Sequence, residues 1–312
     1  MEKIASQIQI KVTKSRKADF KKNYLCLIYM IPVLVGILIF TILPMVVSLI
    51  YSVCEMDLLD PTATLGAPSF QFFARAFTTD WDTVKQSYYV TFRQAIVLGA
   101  ISFVGSYILA LILNQKLKGV KTFRILYYLP CLIPALASSL LWNGITKETG
   151  YFNLIITSLG FKPFTFYRDN KTVFLTQLLL SGWGFSGNMI MWLAQFKNIP
   201  NDLYEDAKLA GAGYFKTLFN VTIPMSTSMI FYLMIMNIIG SLQAFGSYAT
   251  YVDNGKLSES LFVGIHIYET AYVSYDISYA CALSWILFAV IGIMTFFVFK
   301  FSNNWVYYAE EN

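Results

Sequence analysis

The chain has 312 residues, of which 56% are hydrophobic, 17% are aromatic and only 13% are charged, with a formal net charge of +5. Soluble domains carry about 25% charged residues, so this composition excludes an ordinary soluble domain and indicates a polytopic membrane protein.

Six stretches contain no Lys, Arg, Asp or Glu, and each exceeds the roughly 20 residues that cross a bilayer core. They are residues 23–54, 94–115, 125–146, 172–196, 217–252 and 277–299. Lipid-exposed backbone must satisfy its own hydrogen bonds, and the stretches lack the alternation of barrel strands. The sequence therefore predicts an all-α integral membrane protein with six transmembrane helices.

The distribution of Lys and Arg predicts the orientation of these helices. Fifteen of the 23 basic residues fall on the side that holds the N-terminus, and eight fall on the opposite side. Cytoplasmic loops carry the excess of Lys and Arg in membrane proteins. Both termini are therefore predicted to be cytoplasmic.

The N-terminal tail, residues 1–23, is basic and precedes a long apolar span. Its cations are predicted to stop translocation and to contact anionic lipid head groups rather than nucleic acid. They include Lys11, Lys14, Arg16, Lys17, Lys21 and Lys22. The span that follows is longer than the 7–15 residues of a signal-peptide core, so it is predicted to be a retained helix.

Prolines and aromatic residues mark breaks along the first half of the chain. Pro32 and Pro44 predict kinks in the first span. The external stretch 54–85 is aromatic enough to predict a short packed helix or a docking surface. Further on, Pro130 and Pro134 predict that the third helix breaks early.

The fourth span contains a run of glycines between Gly182 and Asn188. Three glycines in six residues lower helix propensity by roughly 1 kcal/mol each. This run predicts either a hinge or a site where another backbone packs closely.

A polar interruption between the fourth and fifth spans, residues 196–224, predicts a short helix of its own. Pro200 marks its start, with Asn198 or Asn201 as the cap. Acidic side chains in its first turns complement the helix dipole; they are Asp202, Glu205 and Asp206. Two glycines are predicted to end the helix, Gly211 and Gly213. On physical grounds this segment is either a projecting docking helix or an ordinary solvated connector.

The same interruption resembles the coupling loop of permease subunits in ATP-binding-cassette (ABC) importers. That loop reads Glu-Ala-Ala, then Gly four residues after the second Ala, then an apolar residue and Pro. The matching residues here are Glu205-Asp206-Ala207, Gly211 and Ile223-Pro224. Asp206 replaces the middle Ala, and Ala210 stands where an Asp often precedes the Gly.

Other motifs, from Tyr24 to Lys300, resemble the maltose-type carbohydrate permeases of this family. They are Pro32 and Pro44 ahead of Tyr51, Phe123-Arg124, Leu129-Pro130, Trp142, Gly150 with Asn153, Ile199-Pro200, Leu203-Tyr204 and Gly211-Ala212. One departure follows the fifth span, where Tyr251 to Gly255 replaces the family's Thr-Gly-Gly-Pro.

The resemblance implies a type I ABC-importer transmembrane domain over residues 24–300, with a cytoplasmic tail at 301–312. It implies a coupling site for the ATPase formed by Glu205, Asp206, Ala207, Gly211, Ala212 and Pro224. The implied partners are a second permease subunit, two copies of an ABC ATPase, an extracytoplasmic solute-binding protein and a carbohydrate. The implied location is the cytoplasmic membrane of a bacterium or archaeon.

Neutral polar and aromatic residues of the fifth span predict a route for the solute. They are Asn237, Ser241, Gln243 and Tyr248. Asn237 and Ser241 are four residues apart and share a helix face. A sugar needs hydrogen bonds for its hydroxyls and an aromatic surface for its ring. The alternative is that these side chains only hydrogen-bond between helices.

The remaining residues argue against other classes of protein. The four cysteines, Cys26, Cys54, Cys131 and Cys281, share no metal-ligand spacing, and His266 is the only histidine, so we expect no metal site and no enzyme. No Walker-type glycine loop is present, so we expect ATP to be used by partner subunits and no cofactor in this chain. The alternatives are a permease for glycerol phosphate or a polyol, and a stand-alone secondary carrier.

Overall fold

The computed structural model describes residues 29–56, 66–115, 118–167, 170–245, 248–253, 255–256, 258–302 and 305–307. Within these residues the regular structure is helical, and no strand occurs. The predicted basic tail at 1–23 and most of the predicted tail at 301–312 lie outside them. The helices are α1 Tyr29–Val53, α2 Gln71–Phe77, α3 Trp81–Leu113, α4 Val120–Tyr128, α5 Ala135–Thr146, α6 Tyr151–Ser158, α7 Asn170–Ser181, α8 Phe185–Asn198, α9 Asn201–Leu209, α10 Tyr214–Met225, α11 Thr227–Leu242, α12 Tyr248–Asp253, α13 Val263–Tyr268 and α14 Ile277–Ser302.

Three of the described helices, α1, α3 and α14, are long and apolar enough to cross a membrane. Two bent pairs raise this number to five if each pair counts as one span: residues 120–132 with 136–158, bent by 99°, and α10 with α11, bent by 67°. The all-helical fold is as predicted, but the count of six spans is not confirmed.

The predicted fourth span is not one continuous helix, because it divides into α7 and α8 at the glycine run. A 3₁₀ turn at Gly182–Gly184 separates the two helices. A Cβ atom added at Gly182, Gly184 or Gly187 would meet no described atom within 4 Å. Close packing within the described chain therefore does not explain these glycines, and the break itself follows from their low helix propensity.

Prolines distort two other helices without dividing them. A π-helical turn at Leu38–Ile42 stands just before Pro44 in α1, and another at Leu218–Thr222 stands just before Pro224 in α10. Proline has no N–H to donate and crowds the preceding turn, so the backbone widens there. The break predicted at Pro130 and Pro134 is also present, as a 3₁₀ turn at Leu129–Leu132.

The core that supports the rest of the fold lies between α3, α8 and α11. Trp192 of α8 is fully buried and donates from Nε1 to Ser106 Oγ of α3 at 3.2 Å. Its indole meets the rings of Phe103 and Tyr107 edge-on, at centroid distances of 5.4 and 4.9 Å. Leu203 and Tyr204 of α9 pack against the same cluster. The core thus fixes α9 relative to the long helices.

The aromatic stretch after α1 forms the short packed helix that was predicted there. Phe72 and Ala76 of α2 are buried against the start of α14. Arg75 of α2 bonds Asp80 at 2.8 Å and Asp276 at 2.7 Å, and so links three segments of the chain.

Candidate functional site

The residues predicted for coupling lie between α8 and α11, in residues 199–224, which we term the coupling segment. Its helix α9 begins directly after Pro200, as predicted. Pro200 itself occupies the N-cap position, and no side chain caps the helix. The predicted Asn cap is therefore wrong, because the residue at the cap has no polar side chain.

The end of α9 is a Schellman motif centred on Gly211. Ala212 N donates to Ala207 O at 2.9 Å, and Gly211 N donates to Lys208 O at 3.0 Å. Gly211 has a φ of +71°, in the left-handed region that residues with a Cβ rarely adopt. The glycine is thus needed for the backbone conformation that stops α9 and turns the chain toward α10.

One face of α9 is held by the protein, and the opposite face is free. Leu203, Tyr204 and Ala207 are half-buried, and Tyr204 Oη lies 3.3 Å from Thr222 Oγ1 of α10. Glu205 and Asp206 are exposed, and neither makes an ion pair with another described residue. The geometry therefore presents two carboxylates on a firmly seated helix.

The remaining predicted coupling residues surround this helix. Gly211 is exposed, Ala212 is half-buried, and a Cβ at Gly211 would meet no described atom within 4 Å. Pro224 is exposed in α10, beside Met225, whose carbonyl accepts a hydrogen bond from Gln195 Nε2 at 2.8 Å. That bond ties the bend between α10 and α11 to α8.

An exposed apolar surface next to α9 was not predicted as part of the site. Leu209 is 87% exposed and Phe215 is 71% exposed. Tyr214 and Phe219 are exposed beside them. The sequence signal was the placement of large apolar residues on both sides of Gly211 and Gly213. Leu209, Tyr214 and Phe215 lie in the polar interruption, and Phe219 lies at the start of the predicted fifth span. Together with the carboxylates, they form a mixed surface of the kind that binds another protein.

A second candidate site is a cavity of about 610 Å³ between α3, α5, α7, α8 and α11. Asn237 and Ser241 line it, as predicted for the solute route. Asn237 Nδ2 also donates to Gly99 O of α3 at 3.3 Å, and Ser241 Oγ donates to Asn237 Oδ1 at 3.1 Å. Both side chains therefore line the cavity, and Asn237 also links α11 to α3 while Ser241 holds its amide in place.

The other two residues predicted for the solute route lie elsewhere. Gln243 follows the end of α11 and does not line the cavity. Tyr248 packs against Phe245 and Tyr268, with ring centroids 5.8 and 4.8 Å away. The cavity instead has polar and aromatic residues from other helices, which the sequence analysis did not select; they are Gln94, Trp142, Gln177, Trp183 and Asn188. Contacts between spans leave no mark in the periodicity of any one span, so no sequence signal identified them.

No metal centre is apparent among the described residues, where no three His, Cys, Asp or Glu side chains come together. His266 lies in α13, and burial lowers the pKa of its imidazole, an effect that the carboxylates of Asp80 and Glu269 oppose. It belongs to no group of three such side chains in the described chain.

The family of the chain follows from comparison with known proteins. A family model described as "Binding-protein-dependent transport system inner membrane component" matches residues 102–309. The chain belongs to this family. The resemblance seen in the coupling segment is thereby confirmed, and the protein is a membrane permease of the ABC-transporter type.

Individual relatives cover most of the permease. The chain is 29% identical over 308 residues to the probable ABC transporter permease protein YesP of Bacillus subtilis, covering 96% of both chains. It is 29% identical over 236 residues to the arabinooligosaccharides transport system permease protein AraP of the same organism, covering 73% of this chain and 72% of AraP.

A solved structure shows the same fold. It is a crystal structure of a bacterial ABC transporter involved in the import of the acidic polysaccharide alginate. The TM-score is 0.74 at 19% identity, and the match covers 92% of this chain and 97% of the other.

Proposed function

We propose that this permease is one transmembrane subunit of an ABC importer for a sugar or oligosaccharide, and that it receives the energy of ATP hydrolysis through the coupling segment. The observation that carries the proposal is the seated helix α9 with its exposed carboxylates, Glu205 and Asp206. A rigid protrusion can transmit movement of a docked subunit, whereas a loose connector cannot.

The contacts of α9 support this role. Leu203 and Tyr204 join it to the core around Trp192, and Tyr204 joins it to α10. A displacement of α9 would therefore be passed to α8, and to α11 through the bond from Gln195 to Met225. Glu205 pairs with a basic group of the ATPase, and the exposed Gly211 allows the end of α9 to approach the ATPase closely. Ala207 lies on the face of α9 that this protein holds, and its small side chain allows α9 to pack closely there.

The carbohydrate substrate is supported by the cavity and by the relatives. The cavity has amide, hydroxyl and indole groups on its wall, including Asn188, Ser241 and Trp183. Such groups bind the hydroxyls of a sugar and cover its apolar ring face. AraP is named for the transport of arabinooligosaccharides, and MalF of Salmonella typhimurium, which is 29% identical over 172 residues, is named for maltose and maltodextrin.

The partners follow from this role. The chain supplies half of the translocation pathway, so a second permease subunit, two ATPase copies and an extracytoplasmic solute-binding protein complete the importer. One solved relative, an alginate transporter, is described in complex with a periplasmic protein that holds an alginate pentasaccharide. We place the importer in the cytoplasmic membrane of a bacterium or archaeon, with both termini in the cytoplasm because of the Lys and Arg distribution.

The test is the change Glu205→Ala, compared with Glu148→Ala, which removes another exposed carboxylate, between α5 and α6. Loss of one member of a charge pair at an interface costs about 2 kcal/mol or more, so we expect ATPase affinity to fall roughly 30-fold. The measurement is a binding titration of ATPase subunits onto the detergent-solubilised permease pair. Glu148→Ala should bind like the unchanged protein. Equal binding by both variants would refute the coupling role of Glu205.

A further inference from the structure

The described wall of the 610 Å³ cavity is largely apolar, and its polar groups are uncharged. No Lys, Arg, Asp or Glu is among the described residues that line it. Its polar groups come from three chemical types, amides, hydroxyls and indoles, represented by Gln94, Gln177, Asn237, Ser102, Trp142 and Trp183. A wall of this kind can bind a neutral polar solute, but its described residues offer no full positive charge to an anion.

Unpaired acceptors on the same wall add a second constraint. Gln94 Oε1 and Gln177 Oε1 are buried and have no hydrogen-bond partner within the described chain, as is also true of the donor Trp142 Nε1. A hydroxyl both donates and accepts, so it can pair with either kind of atom. A carboxylate only accepts, so it can pair with Trp142 Nε1 but would leave both amide oxygens unpaired.

Among the described residues, the cation that directly precedes a cavity residue in the sequence is paired with a carboxylate. Arg93 precedes Gln94 in α3, and its guanidinium forms an ion pair with Glu259. The same guanidinium lies over the ring of Phe174 of α7, 4.3 Å from its centroid. Arg93 is therefore held by two other segments and is not free to pair with an anionic solute. Arg168 and Asp169, which follow the cavity residue Tyr167, lie outside the described residues.

We propose that this cavity selects neutral glycans and disfavours glycans that carry uronate or phosphate groups. The inference rests on the proposed function, because it takes the cavity to be part of the carbohydrate pathway. It separates this permease from the alginate transporter whose fold it shares, and it disfavours glycerol phosphate as the solute.

The test is a binding measurement that needs no ATP hydrolysis. The purified complex of both permeases with the ATPase subunits is titrated, without the solute-binding protein, with a panel of neutral pentasaccharides. Each is compared with the same pentasaccharide oxidised at C6 to the uronate. We expect the tightest-binding neutral pentasaccharide to bind at least about tenfold more tightly than its own uronate form, because the described wall offers the carboxylate no counter-charge.

Two variants isolate the effect of charge. Gln177→Lys adds a cation to the wall and should lower the neutral-to-uronate preference by about tenfold. Gln177→Met has a similar length without the charge and should leave the uronate disfavoured. The neutral-to-uronate preference of the unchanged complex tests the proposal even if a variant complex does not assemble.

Three outcomes would overturn the inference. They are equal binding of uronate and neutral forms by the unchanged complex, tighter binding of the uronate, and binding of neither. A failure of the proposed function would be observed in a different experiment, as solute transport that does not depend on the ATPase subunits.

Discussion

Gly211 shows how a single residue sets the shape of the coupling segment. Its φ of +71° allows the two Schellman hydrogen bonds that end α9 and direct the chain into α10. The sequence predicted that Gly211 ends the helix, and the resemblance to ABC permeases implied that it belongs to the coupling site. The left-handed backbone conformation explains, without reference to any partner, why the residue at this position is glycine.

The matched pair Gly211→Ala and Gly213→Ala tests this reason. Gly213 has a φ of −73°, which alanine adopts without strain, and neither added Cβ would meet a described atom within 4 Å. We expect Gly211→Ala to destabilise the end of α9 by about 1–2 kcal/mol, the usual cost of a left-handed conformation with a Cβ. Hydrogen exchange of the Gly211 and Ala212 amides should accelerate roughly five- to thirtyfold in that variant only. Equal exchange in both variants would show that the conformation of Gly211 does not matter.

At the scale of helices, the contact between α3 and α8 supports the coupling segment. Trp192 fills the centre of this contact, with a hydrogen bond to Ser106 and two edge-on aromatic neighbours. Because α9 packs on the same cluster, loosening of the cluster would also loosen the seat of α9.

Replacing Trp192 by alanine should therefore be costly. Truncation of a buried aromatic residue costs about 3–5 kcal/mol. Trp81→Ala is the control, since Trp81 is 43% exposed at the start of α3 and should cost much less. Thermal unfolding of the two solubilised variants measures the difference. A similar loss of stability in both would contradict the central position of Trp192.

The boundaries of these helices were predictable where a single residue sets the backbone. Pro200 and Gly211 place both ends of α9, and Pro130 with Pro134 places the break before α5. The glycine run at 182–187 left two alternatives in the sequence, and the structure resolves it as a break. Caps were less predictable, since the asparagines beside Pro200 do not serve as one.

At the scale of the whole molecule, the class and the family could be read from the sequence, but the cavity could not. Its wall is assembled from five helices, and single-span patterns identified only Asn237 and Ser241. Which helices pack together depends on shape complementarity between them, which periodicity does not encode. The structure thus adds the chemistry of the cavity to a family assignment that the coupling segment had already suggested.

The central claim is that this chain moves solute only when an ATPase drives it through the coupling segment. Uptake of a radiolabelled oligosaccharide into proteoliposomes, with the solute-binding protein outside and ATP inside, tests it most directly. Vesicles with the complete complex should accumulate the sugar above its external concentration, and vesicles that lack the ATPase subunits should not. Uphill accumulation by this chain without an ATPase would contradict the account.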